Sequence, residues 1–329
     1  VHALEAVRQE RAARMAAAQP HADVVALAER LAETAGDSLR AVVFFGSRKT
    51  GAASSDAWSA HDLFVVTREY RTFYERLARA GCLRRSPRLL AALNAWLAPN
   101  QVSFRSERQG RTLHAKCAVI AEAAFLRDTS AARHDHFCAG RLFQPAELVF
   151  AADSAARASI EAALASAHVV TLDWIRPWLP DVFDVEGYCR TLLRVSLSRE
   201  IRPEPSGRAE ALWAAQQEYL RPVYGRLLAA YAADGRLTSR GADQYALATP
   251  VPGAERRRAA CYFRRSLLRA TARWAKYMLT FDDWLEYIVR KAERHGGRAI
   301  NLSPRERRWP LVFLWPRLLR YLRDKDRPA

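Results

Sequence analysis

Phe44-Phe45 ends in Gly46-Ser47, and after 14 intervening residues Asp62 opens a second apolar run, Leu63-Phe64-Val65. That order suits phosphate chemistry. Glycine lets backbone approach a phosphate, and a serine hydroxyl with neighbouring N–H groups can donate to it. A carboxylate at the head of the next strand can hold a divalent cation against phosphate oxygens, and Mg²⁺ is the usual choice. Transfer of a nucleotidyl group asks for little more than this, because it depends on positioning and charge stabilisation. An aspartate in an apolar strand is disfavoured by strand propensity and by burial unless it has a partner. The structural alternative is that Asp62 caps a loop or pairs with Arg48 or Lys49. Polymerase-type sites usually carry Asp-x-Asp on the second strand, but the first position here is Ala60. Asp56, in Ser54-Ser55-Asp56, is the candidate second metal ligand. His134-x-His136 with Asp135 and Cys138 lacks a second ligand pair at zinc-like spacing and reads as a polar loop.

The elements that must position these residues follow from hydrophobic period and breakers. Residues 3–35 read as two Ala-rich helices, the second with Val24/Val25, Leu27/Ala28 and Leu31 recurring at three- to four-residue spacing. Arg40–Phe45 is a buried strand, 48–60 a small polar loop, and Asp62–Thr67 a second strand. Helices are expected at 70–80, 87–97 and 122–128. Strands are expected at 102–105 and 112–120 around Gly110, and at 145–150. From Ser154 the texture turns to long Ala/Leu/Arg helices broken at Pro177, Pro180, Pro203 and Pro205. The cluster Thr249-Pro250-Val251-Pro252-Gly253 is a strong breaker. These shifts divide the chain into 1–150, 151–248 and 249–329.

Half of the 329 residues are hydrophobic, enough for a sizeable core. No run reaches the ~18 apolar residues of a membrane span. No secretion signal is evident in the first 14 residues. The five cysteines are scattered and form no Cys-x-x-Cys pair, which suits a reducing compartment. The net charge is +17, and residues 255–329 hold 20 Lys and Arg against 8 Asp and Glu. A basic segment of this kind seeks a polyanion, either nucleic acid or an anionic membrane; an Arg- and Ala-rich codon bias is the bland alternative.

The chain resembles the mitochondrial-type phosphatidate cytidylyltransferases, the peripheral CDP-diacylglycerol synthases first known as translocator-maintenance proteins. Gly46-Ser47, Ser54-Ser55-Asp56 and Asp62-Leu63-Phe64-Val65 are similar to that family's Gly-Ser turn, variable loop and single-Asp strand. The family also lacks the first Asp, which accounts for Ala60. His114-Ala115-Lys116-Cys117-Ala118-Val119-Ile120 resembles its Lys-bearing strand, with Cys117-Ala118 where the family usually has Tyr-Gly. The most specific stretch is Ala139-Gly140-Arg141-Leu142-Phe143-Gln144-Pro145, close to Ala-Gly-Arg-Leu-x-x-Pro, and Tyr224-Gly225 resembles a later segment. The likeness covers roughly residues 40–235; the last 75 match poorly.

The resemblance implies a mixed α/β fold with a nucleotidyltransferase (polymerase-beta-like) sheet, a mostly helical, winged-helix-like second domain and a basic amphipathic C-terminal region. The implied reaction joins CTP and phosphatidic acid into CDP-diacylglycerol and pyrophosphate with Mg²⁺. Asp62 is then the main metal ligand, with Asp56 as its candidate companion. Gly46 and Ser47 hold the triphosphate, Lys116 contacts phosphate, and Arg141 clamps phosphate or anchors the second domain. The attacking phosphate oxygen is already ionised, so no Ser/His/Asp or Cys/His arrangement is needed.

Between Arg264 and Arg294, Leu267, Ala270, Thr271, Trp274, Tyr277, Met278, Phe281, Trp284, Leu285 and Ile288 form a helical stripe, with Arg269, Arg273, Lys276, Arg290, Lys291 and Arg294 off or beside it. A second stretch, 309–322, is aromatic, apolar and Arg-flanked. Trp, Tyr and Arg together suit a headgroup boundary, so the expected place is cytoplasmic and peripheral, on the inner face of an anionic membrane. Packing of the stripe on its own domain is the alternative. Nucleic acid is not an expected partner. Two other functions stay open: nucleotidyl transfer to RNA or a small acceptor, and an inert membrane- or nucleic-acid-binding scaffold.

Overall fold

The structure is a computed structural model. It describes residues 2–17, 21–50, 60–198, 207–281 and 300–308, together with residues 284, 285, 289, 293 and 313. Two compact units are present, Val1–Thr280 and Phe281–Ala329. The expected boundaries at 150 and 248 both lie within the first unit.

The first unit opens with helices α1 (His2–Ala17) and α2 (Ala22–Ala35). A five-stranded mixed sheet follows, in the order β3-β4-β2-β1-β5. Its strands are β1 (Leu39–Phe45), β2 (His61–Thr67), β3 (Asn100–Arg108), β4 (Arg111–Ala121) and β5 (Glu147–Ala151). β2 and β4 are parallel; every other pairing is antiparallel. The β2–β4 crossover carries α3 (Tyr70–Arg79), α4 (Pro87–Trp96) and β3.

Every residue of β1 is buried because both faces of the sheet are covered, and such a strand reads as a continuous apolar run. On one face Val42, Phe44, Leu63, Val65 and Cys117 pack with α2, α3 and α4 through Leu27, Leu31, Phe73 and Leu90. On the other, Val43, Phe45, Phe64, Val66, Ala118 and Ile120 pack on α5 (Glu122–Asp128), α6 (Ala139–Leu142) and α7 (Ser154–Val169). The start of β3 is fixed by a buried polar knot that the sequence pattern does not reveal. Asn94 Nδ2 donates to Val119 O at 3.0 Å, and Asn94 Oδ1 accepts from Asn100 N at 2.7 Å. Asn100 Nδ2 donates to Tyr74 Oη at 2.9 Å.

A third core joins α1 to the helices after the sheet: α8 (Thr171–Ile175), α9 (Val185–Ser198) and α10 (Arg208–Ala233). A small hairpin, β6 (Leu237–Ser239) with β7 (Tyr245–Leu247), follows, and then the long helix α11 (Gly253–Thr280).

α11 corrects one expectation about its cations. Arg273 and Lys276 are buried and Arg269 is partly covered, all three turned into the unit, while Leu267, Leu268, Trp274 and Leu279 are exposed. The reason is local: the buried carboxylate of Asp135 and the carbonyls of Leu97 and Pro99 take those cations. Arg290, Lys291, Arg294, Ile288 and all of 309–322 except Phe313 lie outside the described residues. In the second unit a short helix, Pro304–Arg308, starts at a reciprocal cap in which Ser303 N donates to Glu306 Oε2 at 2.8 Å and Glu306 N to Ser303 Oγ at 3.3 Å. Among the described residues no helix is long and apolar enough to cross a membrane.

Candidate functional site

Strand register decides which of the expected residues meet. Phe45 of β1 lies opposite Asp62 of β2, and Asp62 lies beside Lys116 of β4. In-register neighbours share a face. Asp62 and Lys116 therefore emerge together on the α5–α7 side, at the end of the strands where β1 runs into its turn. Lys116 Nζ stands 3.5 Å from Asp62 Oδ1, with both side chains mostly covered yet still reached by solvent. Of the alternative partners for Asp62, Lys49 is engaged elsewhere. Lys49 pairs with Glu147 of β5 and lies 5.9 Å from the ring centroid of Phe44.

Gly46 closes the same corner. Its φ is +87°, and a Cβ built there would lie 2.6 Å from Asp62 Oδ2. Both the backbone conformation and the close approach require glycine. The chain then coils tightly, with Lys49 N and Thr50 N both donating to Gly46 O at 3.0 and 3.2 Å. Ser47 is in this turn, half-buried, and its carbonyl accepts from Thr50 Oγ1 at 3.3 Å.

Arg141 reaches this face through an aromatic ring. Its guanidinium lies 4.0 Å from the centroid of Phe137 and donates to Phe137 O at 2.9 Å. Phe137 in turn meets Phe64 edge-on at 6.1 Å, two residues along β2 from Asp62. Asp56 lies outside the described residues. Among the described residues no cluster of three or more His, Cys, Asp or Glu is arranged to hold a metal. Asp135 and His136, the centre of the His-x-His stretch, serve packing. Asp135 binds Arg269 and Arg273, and His136 Nε2 is 3.0 Å from Ser196 Oγ.

Two groups next to Asp62, His61 in sequence and Cys117 across the strands, are uncharged at pH 7. His61 points to the opposite face, against Phe44 at 5.8 Å between ring centroids, and its Nδ1 is buried without a hydrogen-bond partner. Burial first, and then Arg48, push its pKa down to about 4, so it is neutral at pH 7. Burial and the neighbouring Asp62 raise the Cys117 thiol above its ordinary range, which keeps it protonated and unreactive.

Register also brings in residues that sequence reasoning missed. Ser103 of β3 is opposite Lys116, and Arg105 is opposite His114. By alternation all four face the Asp62 side. The only sequence signal was the two-residue period of β3 and β4; without the pairing it does not say which side is shared.

These contacts define a mixed α/β protein with a carboxylate–ammonium pair and a glycine corner at the ends of its central strands. No protein-family model matches the chain, and no curated protein matches it.

Proposed function

We propose that the chain is a Mg²⁺-dependent nucleotidyltransferase that joins CTP to phosphatidic acid, releasing pyrophosphate and forming CDP-diacylglycerol. The observation that carries this reading is the convergence of Gly46, Asp62 and Lys116 at one corner of the sheet. In the reaction a phosphate oxygen of the acceptor attacks the α-phosphorus of CTP. The bond from that phosphorus to the oxygen bridging to the β-phosphate breaks, and the electron pair leaves with pyrophosphate. The attacking oxygen is already ionised, so no proton need be removed by the protein. Lys116 offsets negative charge gathering on the phosphoryl oxygens, where a fixed ammonium is most effective. The Gly46–Thr50 turn receives the triphosphate. Arg141, held against the Phe137 ring and the Phe137 carbonyl, donates to phosphate.

The donor set suits Mg²⁺, which commonly takes one or two carboxylates and completes its shell with water and substrate phosphates. Asp62 would hold it, and when bound the ion would supply further positive charge beside the α-phosphate. The acceptor reading draws on the outer face of α11, where exposed Leu267, Leu268, Trp274 and Leu279 accompany exposed Arg257 and Arg264. Apolar side chains with arginines suit an anionic lipid surface.

The test is incubation of the full chain with labelled CTP, Mg²⁺ and phosphatidic acid in mixed micelles, with a parallel arm offering RNA as acceptor. Labelled CDP-diacylglycerol, lost in Asp62→Ala and cut at least about a hundredfold in Lys116→Met, is the expected result. Label in RNA alone refutes the lipid acceptor. Full activity in Asp62→Ala refutes the site.

A further inference from the structure

Helix α11 grips the turn before Arg141 one residue at a time. Arg265 donates through Nε and Nη2 to His134 O at 3.1 and 2.6 Å. Asp135, 1% exposed, accepts Arg269 Nε and Arg273 Nη2 on Oδ2, both at 2.6 Å. Its other oxygen accepts from Phe137 N at 3.0 Å. His136 N donates to Ser266 Oγ at 2.9 Å, and the His136 ring lies 3.2 Å from Tyr262 Oη. Finally the Arg273 guanidinium lies 4.9 Å from the centroid of the Phe137 ring. That ring also carries Arg141. Two guanidiniums and the Phe64 ring thus fix one aromatic side chain, while Asp135 fixes its backbone.

Arg273 is itself 2% exposed. Its Nε donates to Ala98 O at 2.7 Å and its Nη2 to Asp135. It is in no position to touch a substrate on the sheet corner, and its contacts on the Arg141 side are the Phe137 ring and Asp135, which accepts from Phe137 N. A guanidinium against an aromatic face restricts the ring, and the ring restricts the next guanidinium.

We propose that Arg273 is a positioning residue for the nucleotide site: it holds the Phe137 ring, and the ring holds Arg141 in the plane that meets phosphate. This rests on the nucleotidyl-transfer reading above. It makes α11 part of the site although the helix contributes no group to the reacting atoms. It also separates the two faces of the helix, the inner one serving Arg141 and the outer one left for contact elsewhere.

Two readouts test it on the full chain. The first is labelled CTP binding with Mg²⁺ by equilibrium dialysis. Arg141→Ala and Arg273→Met are each expected to raise Kd about tenfold or more, and the double variant is expected to bind no more weakly than Arg141→Ala alone. Losses that multiply in the double variant, or a wild-type Kd in Arg273→Met, overturn the proposal. The second readout needs no nucleotide. Arginine-specific modification by phenylglyoxal, followed at Arg141 by peptide mass spectrometry, is expected to quicken several-fold in Arg273→Met and in Phe137→Leu. An unchanged Arg141 rate in both overturns it. Arg273→Lys keeps the ion pair with Asp135 but lacks the planar face, so it is expected to fold as the parent does while showing the faster Arg141 modification. If the parent chain binds no CTP and Arg141 still responds, the nucleotide reading fails and the positioning stands.

Discussion

Lys276 offers the sharpest quantitative test of the packing described above. Its amine is buried and donates to the carbonyls of Leu97 and Pro99, the latter at 2.8 Å. Burial, then Arg273 and Arg269, push its pKa from 10.5 down to about 7. Asp135 is the carboxylate facing this group of cations, and it is bound by both arginines. The folded-state pKa lies below the unfolded one, so between pH 7 and 10.5 the folded chain holds fewer protons and stability rises with pH. Below pH 7 both states are protonated and the penalty is constant. Across that window the linkage amounts to about 4 kcal/mol. Lys276→Met removes the charge at similar length but leaves two carbonyls without this donor, at ~1–3 kcal/mol each. The two effects oppose each other at pH 7, so the variant should lie within ~2 kcal/mol of the parent there. They separate on raising the pH: the parent gains about 4 kcal/mol relative to the variant by pH 10.5. Urea unfolding of both proteins at pH 7, 8, 9 and 10 measures the difference, in which the tyrosine and cysteine titrations common to both cancel. Parallel stability profiles would refute the claim that the amine is buried and electrically disfavoured.

Two further outcomes follow from the same contacts. Gly46→Ala forces a Cβ to 2.6 Å from Asp62 Oδ2 at a positive φ, so a stability loss of ~1–2 kcal/mol is expected together with a roughly hundredfold loss of transfer activity. Gly81 also has a positive φ but no atom within 4 Å of its would-be Cβ, and Gly81→Ala should show the strain without the activity loss, in urea melts and the micelle assay respectively. In acid, His168 is the group to watch. Its Nδ1 donates to Leu164 O at 2.9 Å, and burial first, then Arg11, lower its pKa to about 3. A histidine with a lowered folded pKa contributes stability that is complete above pH 6.5 and lost as pH falls through about 3, here by an amount on the order of 4 kcal/mol. His61, lowered to about 4, acts in the same direction. His168→Gln should flatten that slope in thermal melts between pH 7 and 4; an unchanged slope counts against a neutral buried imidazole.

Much of the sheet was legible because its strands are short apolar runs bounded by breakers. Leu39–Phe45, His61–Thr67 and the hairpin around Gly110 form where the pattern places them. The helices 70–79, 87–96 and 122–128 also match within a residue or two, since each has a clear start or stop. The order of strands was not legible, and with it the company Asp62 keeps. Nothing local says that β4 lies parallel beside β2 while β3 is at the edge.

Residue type and spacing by themselves determined that a glycine corner and a strand aspartate stand close together in this chain, and that a lysine-bearing strand follows. Only the tertiary structure decided that Lys116, not Lys49, faces the aspartate, because side chains alternate along a strand and register chooses which alternation is shared. It also decided the sense of α11. A helical stripe of apolar residues with cations beside it suits a membrane boundary or packing on the chain's own domain; in the fold, Asp135 and two backbone carbonyls draw Arg273 and Lys276 inward and leave Leu268 and Trp274 outside. Periodicity records which side chains share a face. Which face is buried depends on the polar partners waiting on the rest of the fold, and those partners are 130 or more residues away in sequence.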